Sequence, residues 1–511
     1  MSSDFPWLTA LIVAPLVGAA ILWLLPAGAR RHTRAVALTV ALVEVAIGVA
    51  ALSAFDTGDA GSQQLTETHQ WIPSLGVSYA VGVDGVGIAL ILMSIALVPL
   101  VILAGWREQG SDDAPTDRLR HFLALTLVLE AFIVAVFAAR DVFFFYVLFE
   151  AMLIPVYFLI GAFGGAQRRY AAIKFLIYSL TGGLIMLVAV IGLYLQGPGG
   201  KQGFLTDNLT GLTMDPTLEK WLFAGFFLAF AIKAPMFPVH TWLPDAAQNA
   251  TPGTSTLLVG VLDKVGTFGM LTLCLPLFPA ASRWAAPFVI VLAVISIIYG
   301  ALLAIGQKDL MRLIAYTSVS HFGFIVLGIF AFTSTSVAGS SFYMVNHGLS
   351  TGALFLIAGY LVARRGSQDI ADFGGLQRVV PVMAGTFLVA GLSALSLPGL
   401  STFVSEFLVL VGSFARHPAA AIVASTGVVL AAVYVLWTYQ RIFTGPVKDG
   451  LETMPDLRPR ETWAVAPLLA AMIVLGFVPG PALDLVRPPA SVTLEQVGVT
   501  DLPAAAEGSN P

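Results

Sequence analysis

The chain has a single cysteine, Cys274, in 511 residues. One thiol excludes an internal disulfide, a four-cysteine iron–sulfur site and a CxxC redox pair. There is no GxGxxG opening a strand–helix unit and no phosphate loop, so any electron transfer must occur in another chain. The seven histidines are scattered over different apolar stretches without an HxxxH or ExxH pair, which argues against a metal centre. Charge is scarce as well. Charged residues make up 11% of the chain, against roughly 25% in ordinary soluble proteins. The net charge of −4 comes with no basic stripe for nucleic acid.

What is present is apolar sequence. Hydrophobic residues are 57% of the chain, and runs of about 20 recur along nearly its whole length. They predict an all-α polytopic membrane protein, one domain over residues 1–511, with 14 transmembrane helices. The expected spans are Phe5 to Leu25, Ala35 to Phe55, Val83 to Ala104, Phe122 to Ala139, Val142 to Phe163, Tyr170 to Leu195 and Trp221 to His240. They continue with Thr251 to Leu275, Trp284 to Ile305, Leu310 to Phe332, Ser340 to Val362, Pro381 to Phe414, Ala419 to Phe443 and Thr462 to Val478. Residues 481–511 read as a short polar tail. Before the first apolar run there is only Asp4 and no basic region, which predicts a retained first helix and not a cleaved signal.

Basic residues set the orientation, because loops on the cytoplasmic side carry the excess of Lys and Arg. Connections after odd-numbered spans hold 17 of the 26, among them Arg30, Arg107, Arg120, Arg168, Lys308, Arg364 and Arg441, and the opposite side holds 6. The remaining 3 are Lys174, Lys233 and Lys264, inside predicted helices. This asymmetry predicts both termini on the outer side of the membrane.

Lys233 lies in the run FAIKAPMFPVHTWLPDA from Phe230 to Ala246. A lysine at the centre of a bilayer costs about 2.5 to 3.5 kcal/mol, and Pro235 and Pro238 remove backbone donors that lipid cannot replace. Such a segment needs protein or water around it, and a charge beside an interrupted helix at membrane depth is how ion pathways are built. The pattern recurs. SLTGGL from Ser179 to Leu184 is echoed by LSTGAL from Leu349 to Leu354, and Lys233 with Pro235 by Leu397-Pro398-Gly399 followed by Glu406. Two interrupted helices in corresponding places predict two inverted five-helix repeats, over residues 120–275 and 284–443.

The other intramembrane ionisable groups have competing readings. Glu150 is either a mid-membrane carboxylate or an acid near a helix end facing a polar loop. Lys174 is able to snorkel to the surface from one turn inside its helix. Lys264 has no such escape and has Asp263 beside it. His321 and His347 sit among small and hydroxyl residues, where a hydrogen-bonded structural histidine and a proton relay are both open. His240 and Asp245 fall where the seventh span meets the cytoplasmic side, and Glu130 suits a structural partner for a lysine. Asp84, starting the third span, reads as a helix cap.

Six words carry a resemblance: WIPSLGVSYAVGVDGVGIALIL from Trp71, LFEAMLIPVYFLIGAFGG from Leu148, FAIKAPMFPVHTWLPDA from Phe230, IIYGALLAIGQKDLMRLIAYTSVSHFGF from Ile297, HGLSTGALFLIAG from His347 and LPGLSTFVSEFLVLVG from Leu397. In this order, over about residues 70–445, the chain resembles the antiporter-like subunits of respiratory complex I, the proton-translocating NADH:quinone oxidoreductase, and most closely the M type of bacteria. Mrp-type cation/proton antiporter subunits share the general fold.

The resemblance implies a proton pathway along the membrane mid-plane. Glu150 and Lys233 are similar to the family's paired glutamate and lysine, Lys264 to its central lysine, His321 and His347 to its connecting histidines, and Glu406 to its terminal acid. Lys174, His240, Asp263 and Glu130 are secondary candidates. No cofactor is expected in this chain, and flavin mononucleotide and iron–sulfur clusters are expected in partner subunits. The expected partners are L- and N-type neighbours and lipid, in the inner membrane of a bacterium. The chain departs from the family pattern at Ala247-Gln248-Asn249-Ala250, which removes candidate groups for proton entry, and at Asp263, where an aliphatic residue is usual. A subunit of a sodium/proton antiporter complex and a structural membrane scaffold are the alternatives.

Overall fold

A computed structural model describes residues 5–106 and 117–501. Asp4, Arg107 and the end of the expected tail beyond 501 lie outside the described residues. The helices are α1 Trp7–Leu24, α2 Thr33–Ala54, α3 Gly85–Ala104, α4 Asp117–Ala138, α5 Val142–Phe163, α6 Arg168–Tyr194, α7 Pro216–Lys233, α8 Trp242–Asn249 and α9 Pro252–Leu277. They continue as α10 Pro279–Ile305, α11 Leu310–Phe330, α12 Ser334–Arg365, α13 Pro381–Ala394, α14 Ser401–Arg416, α15 Pro418–Phe443, α16 Pro459–Phe477 and α17 Gly480–Val497.

Among the described residues, 12 helices are long and apolar enough to cross a membrane. The other two expected spans, the seventh and the twelfth, are each split. The seventh stops at Lys233, seven residues short of the expected His240, because Pro235 and Pro238 have no N–H to continue the ladder. It resumes as α8. The twelfth breaks at Leu397-Pro398-Gly399, as its sequence leads one to expect, into α13 and α14. The fold is all-α as expected, with one added element: the segment between α2 and α3 is an antiparallel hairpin, β1 Gln64–Ile72 and β2 Val77–Val83. One further expectation is corrected. The described part of the expected polar tail from 481 is largely the helix α17, which buries Leu483, Val486, Leu494 and Val497 against α3 and α12. Its apolar spacing is helical, and Pro488 and Pro489 obscured it in the sequence.

Burial ranks the helices. In α9 and α11, 94% of the most apolar window is inside the protein, against 28% in α16. The peripheral helices turn large apolar side chains outward, such as Val188, Trp221, Val429 and Phe477, which suits contact with lipid. The central α9, α11 and α12 instead carry the buried polar residues. These are the helices a membrane protein can load with charge, because protein rather than lipid surrounds them.

The hairpin anchors the outer rim of this core. Thr9 donates to Glu67 Oε2 at 2.5 Å and shares a 2.6 Å hydrogen bond with Tyr79. Asp141 caps α5 by accepting from Phe143 and Phe144 N–H, and also accepts from Ser78 N–H of β2. One carboxylate thus fixes both the hairpin and the start of α5. Glu150 then lies nine residues, roughly 13 Å, along that helix.

Candidate functional site

The break after α7 leaves backbone carbonyls without partners, and the fold satisfies them locally. Trp242 Nε1–H donates to Ile232 O at 2.8 Å, Met236 N–H reaches Ala231 O, and Phe237 N–H is taken by Ser296 Oγ. Lys233 occupies the last turn of α7, where the helix dipole favours a cation. Its ammonium lies 4.6 Å above the Phe149 ring and 5.7 Å from that of Phe175. A desolvated cation–π contact of this kind is worth about 2 kcal/mol. No hydrogen-bond acceptor meets the ammonium, although the residue is 1% exposed.

Glu150 approaches from α5. Its carboxylate occupies space opened by Gly183 on α6, where a Cβ would sit 1.6 Å from Oε1. Oε1 is buried and has no hydrogen-bond donor. The neighbouring Gly182 packs against Ala229 and Ile232, so the glycine pair of the SLTGGL word brings α6 against both the lysine's helix and the glutamate. Glu150 and Lys233 therefore share a pocket without forming a hydrogen-bonded ion pair.

On α9, two wide π-turns, Leu258–Leu262 and Met270–Cys274, flank the charged step Asp263-Lys264. Such bulges interrupt the regular ladder and expose carbonyls, and here Val259 O accepts from Lys264 Nζ at 2.6 Å. Gly266 lets α9 touch the α7 break, since a Cβ there would lie 2.5 Å from Phe230 O. Asp263 is fully buried, neither of its oxygens has a donor, and it lies within electrostatic reach of both Lys264 and Lys233. The carboxylate thus couples electrostatically to the lysines of both halves of the charged row.

Beyond Lys264 the row alternates hydrogen bonds with ring contacts, and His347 Nε2 and His321 Nδ1 are left without a partner. Lys264 Nζ lies 2.7 Å from His347 Nδ1 on α12. The His347 and His321 rings stand edge to face with centroids 5.2 Å apart. His321 Nε2 is 3.1 Å from the Tyr434 hydroxyl of α15. Tyr343, whose ring centroid is 6.0 Å from that of His321, donates to Glu406 Oε2 at 2.8 Å. Ser396, within the α13–α14 break, donates to the same oxygen. All these groups are buried.

The secondary candidates separate. Lys174 pairs with Asp245 at 2.6 Å, and Arg312 pairs with the other Asp245 oxygen. Gln248 accepts from Arg312 and donates to Asp309, so the departure at Gln248 is part of a polar latch at the basic end of the helices. His240 is enclosed by the rings of Phe237, Tyr299 and Tyr316, and neither ring nitrogen has a partner. Asp84 caps α3 through Gly87 N–H, as expected. Glu130 does not meet a lysine. It faces Glu44 of α2, another buried carboxyl, and none of the four carboxyl oxygens has a hydrogen-bond partner. Glu44, a lone acid in the apolar run ALVEVAIG, carried the same signal as Glu150 and is missing from the sequence candidates. Tyr343, Tyr434 and Ser396 carried none, since ordinary hydroxyls in apolar helices acquire meaning only through their neighbours.

Fold and site together define a multi-pass membrane protein with two split helices and a row of ionisable groups through its protected core. The family model of NADH:quinone oxidoreductase/Mrp antiporter transmembrane proteins matches residues 139–431, and the chain belongs to that family. It is 48% identical to NADH-quinone oxidoreductase subunit M of Mycobacterium tuberculosis over 98% of this chain and 96% of that protein. A solved structure of respiratory complex I from Thermus thermophilus contains a chain that superposes with a TM-score of 0.86 at 32% identity, covering 96% of this chain and all of that one. A chain of the Mrp complex from Dietzia sp. DQ12-45-1b shares the fold, with a TM-score of 0.83 at 22% identity over 96% of this chain and 100% of that one.

Proposed function

We propose that the chain is the M-type membrane-arm subunit of a bacterial NADH:quinone oxidoreductase, moving protons through the row from Glu150 to Glu406 under the drive of redox chemistry in other subunits. The observation that carries this reading is the near-continuous line of titratable side chains across both split helices, half-buried at Glu150 and buried from Lys233 to Glu406. In this reading Glu150 holds the charge of Lys233. A carboxylate about 6 Å from an ammonium at an effective dielectric near 20 stabilises it by roughly 3 kcal/mol, or about 2 pKa units. Withdrawing Glu150 biases Lys233 to give up its proton toward Asp263 and Lys264, and His347, His321 and Tyr343 carry exchange on to Glu406. The two split helices belong to inverted repeats over 120–275 and 284–443, and counting each as a crossing gives 14 spans. Flavin and iron–sulfur clusters reside in other partner chains, L- and N-type subunits are the membrane neighbours, and the single cysteine of this chain accords with that division.

The test is proton uptake by vesicles holding the intact complex during NADH oxidation, with assembly followed on native gels. Glu150→Gln and Lys233→Ala in assembled complexes should nearly abolish pumping. Normal pumping by either would remove the row from the mechanism. Placement of both termini on the outer side is tested by thiol labelling, since Cys274 is buried and silent. A cysteine at Leu75, on the exposed hairpin tip, should react from outside and one at Gly445 from the cytoplasm. The reverse pattern would invert the topology.

A further inference from the structure

At the basic end of the helix bundle, α15 meets the connections before α11 and α13 around an open cavity of about 820 Å³ that plays no part in the proton row. Three cations line it, Lys308, Arg441 and Lys448, against one acid, Asp369. One Asp369 oxygen already accepts from Ala371 N–H. The Arg441 guanidinium lies 4.4 Å from the centroid of the Trp437 ring, and its Nε and Nη2 are shielded from solvent yet have no hydrogen-bond partner. Lys308 and Lys448 are exposed. The cavity is thus a positively charged bowl with the Arg441 guanidinium, stacked on Trp437, in its wall.

Below the bowl, α15 shows a continuous outward stripe. Val429, Val433, Leu436 and Trp437 follow one another at helical spacing, with exposures from 43% to 66%. Trp437 stands at the junction, where its indole has apolar surface on one side and charge on the other, the usual position of an interfacial tryptophan. A basic pocket directly above an apolar helical stripe matches one ligand shape: an anionic head with acyl chains beneath it. A soluble phosphate has no use for the stripe, and a neutral headgroup has none for two net positive charges. We propose that this cavity is a binding site for the headgroup of an anionic phospholipid, with the phosphate held by Arg441, Lys308 and Lys448 and a chain lying along α15.

The experiment uses the intact complex in phosphatidylcholine vesicles that contain a photoactivatable phosphatidylglycerol, and reads lipid adducts on the peptide spanning residues 437–448. Labelling should occur in the parental protein and survive excess inorganic phosphate. It should be far weaker with photoactivatable phosphatidylcholine of the same chain length. The double change Lys308→Gln with Lys448→Gln removes two exposed charges and leaves the core untouched, and it should weaken phosphatidylglycerol binding about thirtyfold. Equal labelling by both lipids, or by the double variant, would overturn the proposal. So would displacement by phosphate, which marks a free-anion site. A photoreactive residue at position 440 that links to a neighbouring subunit instead of lipid would show a protein interface and overturn it equally. None of these readouts involves proton movement, so they stand or fall apart from the translocation reading.

Discussion

The two halves of the charged row are built on opposite principles. Around the α7 break the ionisable groups are crowded but unsatisfied: the Lys233 ammonium, Glu150 Oε1 and both Asp263 oxygens lack hydrogen-bond partners. From Lys264 onward each group has at least one hydrogen bond, to His347, Tyr434, Tyr343 or Ser396, and ring contacts join the bonded pairs, with His347 Nε2 and His321 Nδ1 left over. A buried charge without hydrogen bonds sits in a shallow electrostatic balance that a small displacement upsets, whereas a bonded chain fixes geometry for proton exchange. The first half is suited to switching and the second to conduction.

The largest effect that bears on this contrast is loss of the switch. Lys233→Ala in the assembled complex should lower proton pumping about a hundredfold or more, in line with an interaction of about 2 pKa units. A modest loss in vesicle pumping assays would mean that charge at the break is dispensable. Gly183→Ala comes next. Its methyl would collide with Glu150 and swing the carboxylate from its place. A displacement near 1 Å commonly costs between roughly tenfold and a hundredfold, so pumping should fall about tenfold while native gels show normal assembly. Wild-type pumping would indicate that the position of Glu150 does not matter.

In the conducting half, the bonds are redundant. Tyr343→Phe leaves Ser396 on Glu406 and should slow pumping about fivefold, the worth of one net hydrogen bond near 1 kcal/mol. Glu406→Gln should slow it more, and Glu406→Asp should retain part of the activity. If Tyr343→Phe matched Lys233→Ala in severity, the division into switch and conductor would fail. The smallest effect is expected at Glu44. Glu44→Gln offers Glu130 a hydrogen, so pumping should change less than about twofold and thermal stability by less than about 1 kcal/mol. A large pumping defect would bring this carboxyl pair into the pathway as a third element.

Several members of the row, though not their pairing, were legible in the sequence. Lys233, Lys264 and Glu406 stand out because a charge in a long apolar run has few stable placements, and the prolines near them announce the two breaks. The hidden members are those whose chemistry is ordinary in isolation. Tyr343, Tyr434 and Ser396 matter only because α12, α13 and α15 bring them to His321 and Glu406, from positions up to 113 residues apart in the chain. Glu130 invited a lysine partner by charge, and its actual neighbour Glu44 is a like carboxyl, a juxtaposition no local pattern encodes.

The sequence by itself determined that this chain crosses a membrane many times, that its helices break at two prolines-and-charge sites, and that certain lysines and acids must hide inside protein. Those conclusions follow from solvation, which acts on each residue according to its own polarity. The tertiary structure alone decided which charges remain unpaired, that Asp263 is within electrostatic reach of both Lys264 and Lys233, that Gly480–Val497 form a docked helix, and that a glycine yields space to Glu150. These depend on distances between helices. Such distances are set by side-chain packing over the whole bundle, where a methyl group or a π-turn shifts a contact by more than a hydrogen bond can stretch.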